Sequence, residues 1–386
     1  MITIFSQPFF DGPFPIFSKH GSPINSIIKR TIRRINDPDL VGGTMNISII
    51  GAGSTALAGA AYFNLKNVPC QVYVRNRIKA ACWNQSPLTV RGKIDTSLYV
   101  PFTTDLKKAV EEADILMVCT HATDHEGVVE EIAPFLHDGQ CLLFMNGCWG
   151  AIKACRLLSK QQDAPSISIA ETANMPFIAR LSSDYKTLDF KAMKEEIGYS
   201  CLGEEGELST LLHLMAPKVS RVASPASTSL SATNPIIHVT ACLFNMTRIE
   251  NGEKFHFFGD SLTPKVAAYM EACDGERIAI GKALGLSLSS LLDVLNASWG
   301  EKKENLYDAL TENQSYKTVM GPTDLKGRYL SEDLPCGMGS LRDLSDMMHV
   351  EAPHIRSLVD TLSLYLGKPY TPFLTPQDLR VIKSLK

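Results

Sequence analysis

The chain has 386 residues, 45% of them apolar and 20% charged, with 38 Lys and Arg against 41 Asp and Glu. That length argues for two domains with ample room for buried cores. A formal charge of −3 spread along the chain gives no pull toward nucleic acid or an anionic lipid surface. No apolar run reaches the roughly 18 residues that a membrane-spanning helix needs.

Residues 1–44 stand apart. Pro8, Pro13, Pro15 and Pro23 interrupt scattered Phe and Ile, and the basic stretch Lys29-Arg30-Thr31-Ile32-Arg33-Arg34 follows. The apolar pieces are too broken for a secretory signal, and the charges come after them instead of before. The segment is expected to be an N-terminal extension, disordered or belonging to an upstream start, with little chemistry. An organelle address is the weaker alternative.

Asn46 to Ile50 is short, β-branched and apolar, as a buried parallel strand should be. It runs into Gly51-Ala52-Gly53-Ser54-Thr55-Ala56 and then an Ala-rich helix to Leu65. In this G-x-G-x-x-A pattern Gly51 permits the tight turn, Gly53 lets the backbone approach a pyrophosphate, and Ala56 allows close helix–strand packing. The helix N-terminus, with Ser54 and Thr55, offers free N–H groups to the phosphates. The required strand before and helix after make this a dinucleotide site instead of a plain turn.

The next strand, Cys70 to Val74, decides the cofactor. An NAD site places an acid about 20 residues after the glycines. None occurs from Cys70 to Ala80, where Arg75, Arg77 and Lys79 stand instead. Arg binds phosphate oxygens through its fork, so a 2′-phosphate fits and NADP(H) is expected to be preferred, with NAD(H) still usable. Thr104-Asp105 then caps a helix through Ala113, and Ile115 to Cys119 is a further strand. Thr120 to Ala122, at its carboxyl end, and Asn146 to Gly147, after the strand Cys141 to Met145, are expected to wall the nicotinamide end. Thr123 and Glu126 have capping-box spacing. His121 and His125 lack a third ligand nearby, so no metal is expected.

Beyond about residue 222 the periodicity turns helical. Pro225 to Thr233 reads as a polar link. Asn234-Pro235 opens a helix with Asn234 as N-cap, putting Asn234, His238 and Asn245 on one face. Thr263-Pro264 begins a long helix to Leu284, closed by Gly285. Asp274, Glu276 and Arg277 within it are read as either internal polar contacts or, the commoner case, exposed charges. His238 sits one turn into its helix, where a neutral ring can exchange a proton near pH 7. On local pattern alone, a core histidine bonded to the backbone accounts for it slightly better. The ten Cys include no C-x-x-C pair and several lie in apolar runs, which points to reduced, structural thiols and a cytoplasmic protein.

The fold expected is an α/β Rossmann-type dinucleotide-binding domain over 45–222, followed by a mainly α-helical second domain over 223–386. Several ordered blocks carry a resemblance. Asn234-Pro-Ile-Ile-His238 with Leu243-Phe-Asn245, the block Arg328-Tyr-Leu-Ser-Glu-Asp333-Leu-Pro335-Cys-Gly337, Asp274-Gly-Glu-Arg277, and Glu171-Thr172 with Pro176 and Arg180 resemble the opine (octopine/nopaline) dehydrogenase family. The resemblance covers roughly Met45 to Pro353. It implies reductive joining of a 2-oxo acid to the amino group of an amino acid with NAD(P)H, or the reverse oxidation. By position it implies His238 as the acid/base residue, Asp333 as its carboxylate partner, Asn234 as a substrate anchor, and Arg328 near the cofactor pyrophosphate. Thr120 is expected beside the cofactor.

Three departures fall where substrate should bind: Met338-Gly339-Ser340 after Gly337, His349 in place of a Gly, and bulky Trp149. The partners expected are small molecules only, with a homodimer allowed. Two other readings share the glycine turn. A ketopantoate-reductase-like enzyme would need a catalytic Lys on the helix starting at Pro235, and none is there. A catalytically silent NADP(H) sensor would not need both His238 and Asp333.

Overall fold

A computed structural model describes residues 45–385. The expected extension, residues 1–44, lies outside the described residues. The apolar stretches 47–50, 70–73, 115–118 and 141–144 form four parallel strands at the centre of an eight-stranded sheet. In chain order the strands are β1 (Ile47–Ile50), β2 (Cys70–Tyr73), β3 (Leu88–Gly92), β4 (Thr96–Leu98), β5 (Phe102–Thr103), β6 (Ile115–Val118), β7 (Cys141–Phe144), β8 (Ser168–Thr172), β9 (Phe177–Leu181), β10 (Thr187–Met193), β11 (Glu196–Leu202) and β12 (Lys218–Arg221). The large sheet runs β12-β11-β8-β7-β6-β1-β2-β5, and only the β8–β11 pair is antiparallel. Every residue of β1, β6 and β7 is buried, because helices cover both faces.

Strands β4-β3-β10-β9 make a second, smaller sheet that the sequence reading did not anticipate. It packs on the helix Ser54–Leu65: Phe177 meets the rings of Tyr62 and Phe63, and the Leu181 N–H donates to Ser54 Oγ at 2.9 Å.

After Arg221 the chain is helical, apart from one isolated bridge between His256 and Met320. Two local readings are corrected here. The stretch expected as a link is a helix, Pro225–Leu230, because the Ser224 side chain caps it by accepting from the Ser227 N–H. The N-cap of the next helix, Asn234–Leu243, is Thr233, and Asn234 is its first residue.

Asp274, Glu276 and Arg277 are buried, not exposed. Arg277 donates to the carbonyls of Leu230 and Ser289 and to Asp274, so it stitches the ends of three segments together. Glu276 accepts from the backbone N–H groups of His354 and Ile355, which cap the helix Pro353–Tyr365.

The capping box at Thr123 does not form. The helix there starts at His125 without a side-chain cap, since Glu126 turns to Lys153 and Arg156. Arg156 also donates to the fully buried Asp378 of the helix Pro376–Ser384 at 2.7 Å. Ion pairing won over local capping because it ties the chain's last helix to the sheet half. Trp149, expected among substrate-binding residues, is instead buried in the core of the helical half. All ten cysteines are free.

Candidate active site

The dinucleotide end is built by β1 and the turn after it. Gly51 has φ +111, and a Cβ there would lie 3.0 Å from the Cys119 carbonyl oxygen. Gly53 faces open space and precedes the helix Ser54–Leu65, whose first turn carries no acid and no side-chain cap. That leaves backbone N–H groups free for an anion. Beside this turn lies a cleft of about 280 Å³, lined among others by Gly51, Arg75, Asn76, Lys79, Thr120 and Glu131. Thr120 Oγ1 is buried without a hydrogen-bond partner.

Arg75 is exposed and lies 3.8 Å from Glu131, while Lys79 sits over the Tyr185 ring at 4.0 Å. Arg77 opens the helix Arg77–Gln85 with an exposed side chain, outside the cleft lining. A neutral turn, a free helix start and cations beyond β2 suit a dinucleotide.

The second half of the site comes from two distant segments. His238 lies on the helix Asn234–Leu243. Asp333 lies in a wide helix of π type, Tyr329–Gly339, with Pro335 inside it. Such helices are rare and recur at functional sites. Gly337 explains how the two meet: a Cβ there would lie 2.3 Å from Pro235 Cβ, so only a glycine lets the wide helix close on the start of the His238 helix. Pro235 and Gly337 are therefore the contact that sets the spacing.

At the end of that contact His238 Nδ1 is 2.7 Å from Asp333 Oδ2, across 95 positions of sequence. Both side chains are nearly buried. Tyr329 stacks on the imidazole with centroids 4.0 Å apart and planes 24° apart, and Phe257 meets the ring edge-on at 6.0 Å. Burial, with the Asp333 charge adding to it, pushes the Tyr329 hydroxyl up to about 12, so it stays neutral. The ring plane is thus fixed on both sides, and Nε2 is the one nitrogen not taken by Asp333. Asn234, four residues before His238, is exposed on the first turn.

Arg328 is half-exposed and sits 3.2 Å from Glu332 Oε2 and 3.8 Å from Asp333 Oδ1. Burial works against its charge, but these two carboxylates outweigh that and hold its pKa above the ordinary value. Sequence reading missed Glu332 as a site residue. Its Oε1 accepts the Ala122 N–H at 2.9 Å, and its Oε2 is 3.9 Å from His121 Nδ1. The only sequence signal was its place beside Asp333. His121 and His125 hold no metal cluster, and none of three or more ligating side chains occurs among the described residues. His125 is buried against Phe144, where burial pushes it down to about 3.

Between the two halves, Asn146, Gly147, Cys148 and Trp149 all have positive φ, a left-handed run that would be costly if left unsupported. Beneath it lies Glu171, fully buried. It accepts from Thr228, from Ser229 at 2.8 Å and from the Ala151 N–H at 3.1 Å. Burial raises Glu171 to about 7, against those hydrogen bonds. His349 takes φ +56 at the end of the helix Ser340–Met348, a left-handed conformation that favours glycine.

Comparison with known proteins agrees with this geometry. Residues 221–366 match the family model "NAD/NADP octopine/nopaline dehydrogenase, alpha-helical domain", and residues 47–175 match the ketopantoate reductase PanE/ApbA model. An opine dehydrogenase of Arthrobacter sp. (strain 1C) is 28% identical over 325 residues, covering 82% of this chain and 89% of that protein. An octopine dehydrogenase solved with NADH and L-arginine superposes with a TM-score of 0.73 at 19% identity, over 86% of this chain and 92% of that one. Yersinopine dehydrogenase with NADP+ bound gives 0.69 at 15% identity, over 89% and 98%. The structural likenesses concern the fold, whereas the sequence matches reach the helical half that carries His238 and Asp333. The chain is similar to the opine (octopine/nopaline) dehydrogenases, and its helical half, residues 221–366, matches that family's model.

Proposed function

We propose that the protein is an NAD(P)H-dependent opine dehydrogenase, an oxidoreductase that joins the amino group of an amino acid to a 2-oxo acid and reduces the resulting imine. The 2.7 Å contact between His238 and Asp333 carries this reading. Residues 45–222 hold the cofactor and residues 223–386 supply the acid/base pair, with the substrates between them.

The bound dinucleotide supplies hydride. Gly51, Gly53, Ser54, Thr55 and Ala56 form the turn and helix start for its pyrophosphate, Thr120 borders its nicotinamide end, and Arg328 reaches toward the pyrophosphate from the helical half. Asp333 accepts a hydrogen bond from the Nδ1–H of His238 and fixes the tautomer, so Nε2 faces the reacting nitrogen or oxygen. Protonated, the ring donates from Nε2 as the imine carbon is reduced. In the oxidative direction the neutral ring takes that proton back. Tyr329 holds the ring plane during both. Asn234 anchors a substrate polar group.

For the cofactor we favour NADP(H). Arg75 with Lys79 in the cleft, Arg77 beside it, and the lack of an acid after β2 support that preference. Ten free thiols suit a reducing cytoplasm. Among the described residues no helix is long and apolar enough to cross a membrane.

The test is NADPH oxidation with a panel of 2-oxo acids, each with and without amino acids. Oxidation that requires both substrates, with a secondary-amine product, is expected. Oxidation by an oxo acid alone would make the protein a simple reductase. Tight NADPH binding without turnover across the panel would make it a sensor.

A further inference from the structure

Four polar side chains meet at the seam: Arg328 at the start of the wide helix, Glu332 and Asp333 within it, and His121 on the loop after β6. Their arrangement is uneven. The Arg328 guanidinium is nearer Glu332 (3.2 Å) than Asp333 (3.8 Å), and the other Glu332 oxygen is committed to the Ala122 N–H at 2.9 Å. Glu332 is thus anchored to the first half of the molecule, and a salt bridge from Nε fixes where the Arg328 head can go. Were Glu332 neutral, the nearest remaining anion for Arg328 would be Asp333, within a small side-chain rotation.

That choice of partner matters to His238. Asp333 favours the imidazolium in proportion to its unshared negative charge, and a guanidinium drawn onto it would cancel much of that field. Other groups around the pair cannot take over this part. Burial, with the nearby carboxylates, pushes the thiols of Cys148 and Cys242 up, and Tyr329 rises too, so all three are neutral. Arg180 on β9 acts on Tyr329 from the small sheet, and His121 is exposed and closer to Glu332 than to any other carboxylate within reach.

We infer that Glu332 is a positioning residue: it draws Arg328 off Asp333 and anchors it to the loop after β6, so that Asp333 keeps its charge for His238. This rests on the assignment of His238 and Asp333 above, and extends it to a residue that acts through Arg328.

The experiment compares wild type, Glu332→Gln, Arg328→Gln and the double variant. Gln retains the shape and can still accept from Ala122. The first readout is the titration of the His238 ring resonances in the cofactor-free protein, assigned with His238→Asn. The second is the pH dependence of kcat in the reductive direction. Glu332→Gln is expected to move both the ring titration and the alkaline limb of kcat to lower pH, because imidazolium loses support. In the Arg328→Gln background the same change should have much less effect, since no guanidinium remains to be redirected. Equal shifts in both backgrounds would mean Glu332 acts only by its own charge, and no shift in either would mean it has no part. Either result overturns the inference. The ring titration needs no substrate, so it fails separately from the proposed reaction, which is tested by turnover.

Discussion

The two halves of the site are made in opposite ways. The dinucleotide end is a contiguous stretch, Asn46 to Leu65, in which strand, glycine turn and helix follow one another and the recognising groups are backbone N–H groups. The proposed acid/base end joins residues 95 positions apart, brought together by a glycine packed on a proline. The first kind of site tolerates change in most side chains and fails when a backbone angle fails. The second depends on individual atoms of a few residues, and small displacements are costly.

Substitutions can sharpen that contrast. Asp333→Asn should cost about a hundredfold or more in kcat while NADPH affinity holds, because the ring loses its orienting carboxylate. Stopped-flow single turnovers beside a fluorescence titration of NADPH would check it. Gly337→Ala should separate the two segments, since the new methyl group meets a proline ring that cannot move aside. A stability loss of about 1–3 kcal/mol is expected with a large fall in kcat, read by urea unfolding and steady-state kinetics.

At the other end, Arg75→Ala combined with Arg77→Ala should weaken NADPH by about tenfold or more and leave NADH nearly unchanged. Equal losses for the two cofactors would remove the 2′-phosphate assignment.

A further effect, on stability alone, concerns Glu171. Its folded pKa of about 7 lies above the unfolded value, so the folded state holds the proton more tightly. The stability it contributes is complete below the unfolded carboxylate pKa and is lost as pH rises through about 7. Glu171→Gln should therefore flatten the difference in unfolding free energy between pH 5 and pH 8, by up to about 3 kcal/mol. An unchanged difference would show that Glu171 does not titrate in that window.

Much of the first half was readable in the sequence because its signals are local. The β1 turn, the helix after it and the parallel strands need only neighbours in the chain. The small sheet was missed because β4 is very short and β3, β9 and β10 are partly charged or exposed, so none gives a clear apolar run. Glu126 and Arg277 were misjudged for a different reason. Where a charge goes depends on partners such as Arg156 for Glu126 and the Leu230 carbonyl for Arg277, which no spacing reveals.

That His238 and Asp333 meet was legible only through the resemblance of their blocks, since on local pattern a core histidine remained the better reading. Tyr329 lay inside one of those blocks, yet its stacking on the imidazole could not be read from it. Trp149 was placed near substrate as a bulky departure from the family pattern, but it follows the left-handed run from Asn146 and is buried in the helical core.

The central claim is that His238 moves the proton in a reaction whose cofactor is held elsewhere. The most direct measurement is turnover of His238→Ala with a 2-oxo acid and an amino acid, set beside its NADPH dissociation constant. Turnover reduced by about 10²–10⁴-fold with NADPH affinity almost unaltered is the predicted result. Turnover near that of the wild type would contradict it.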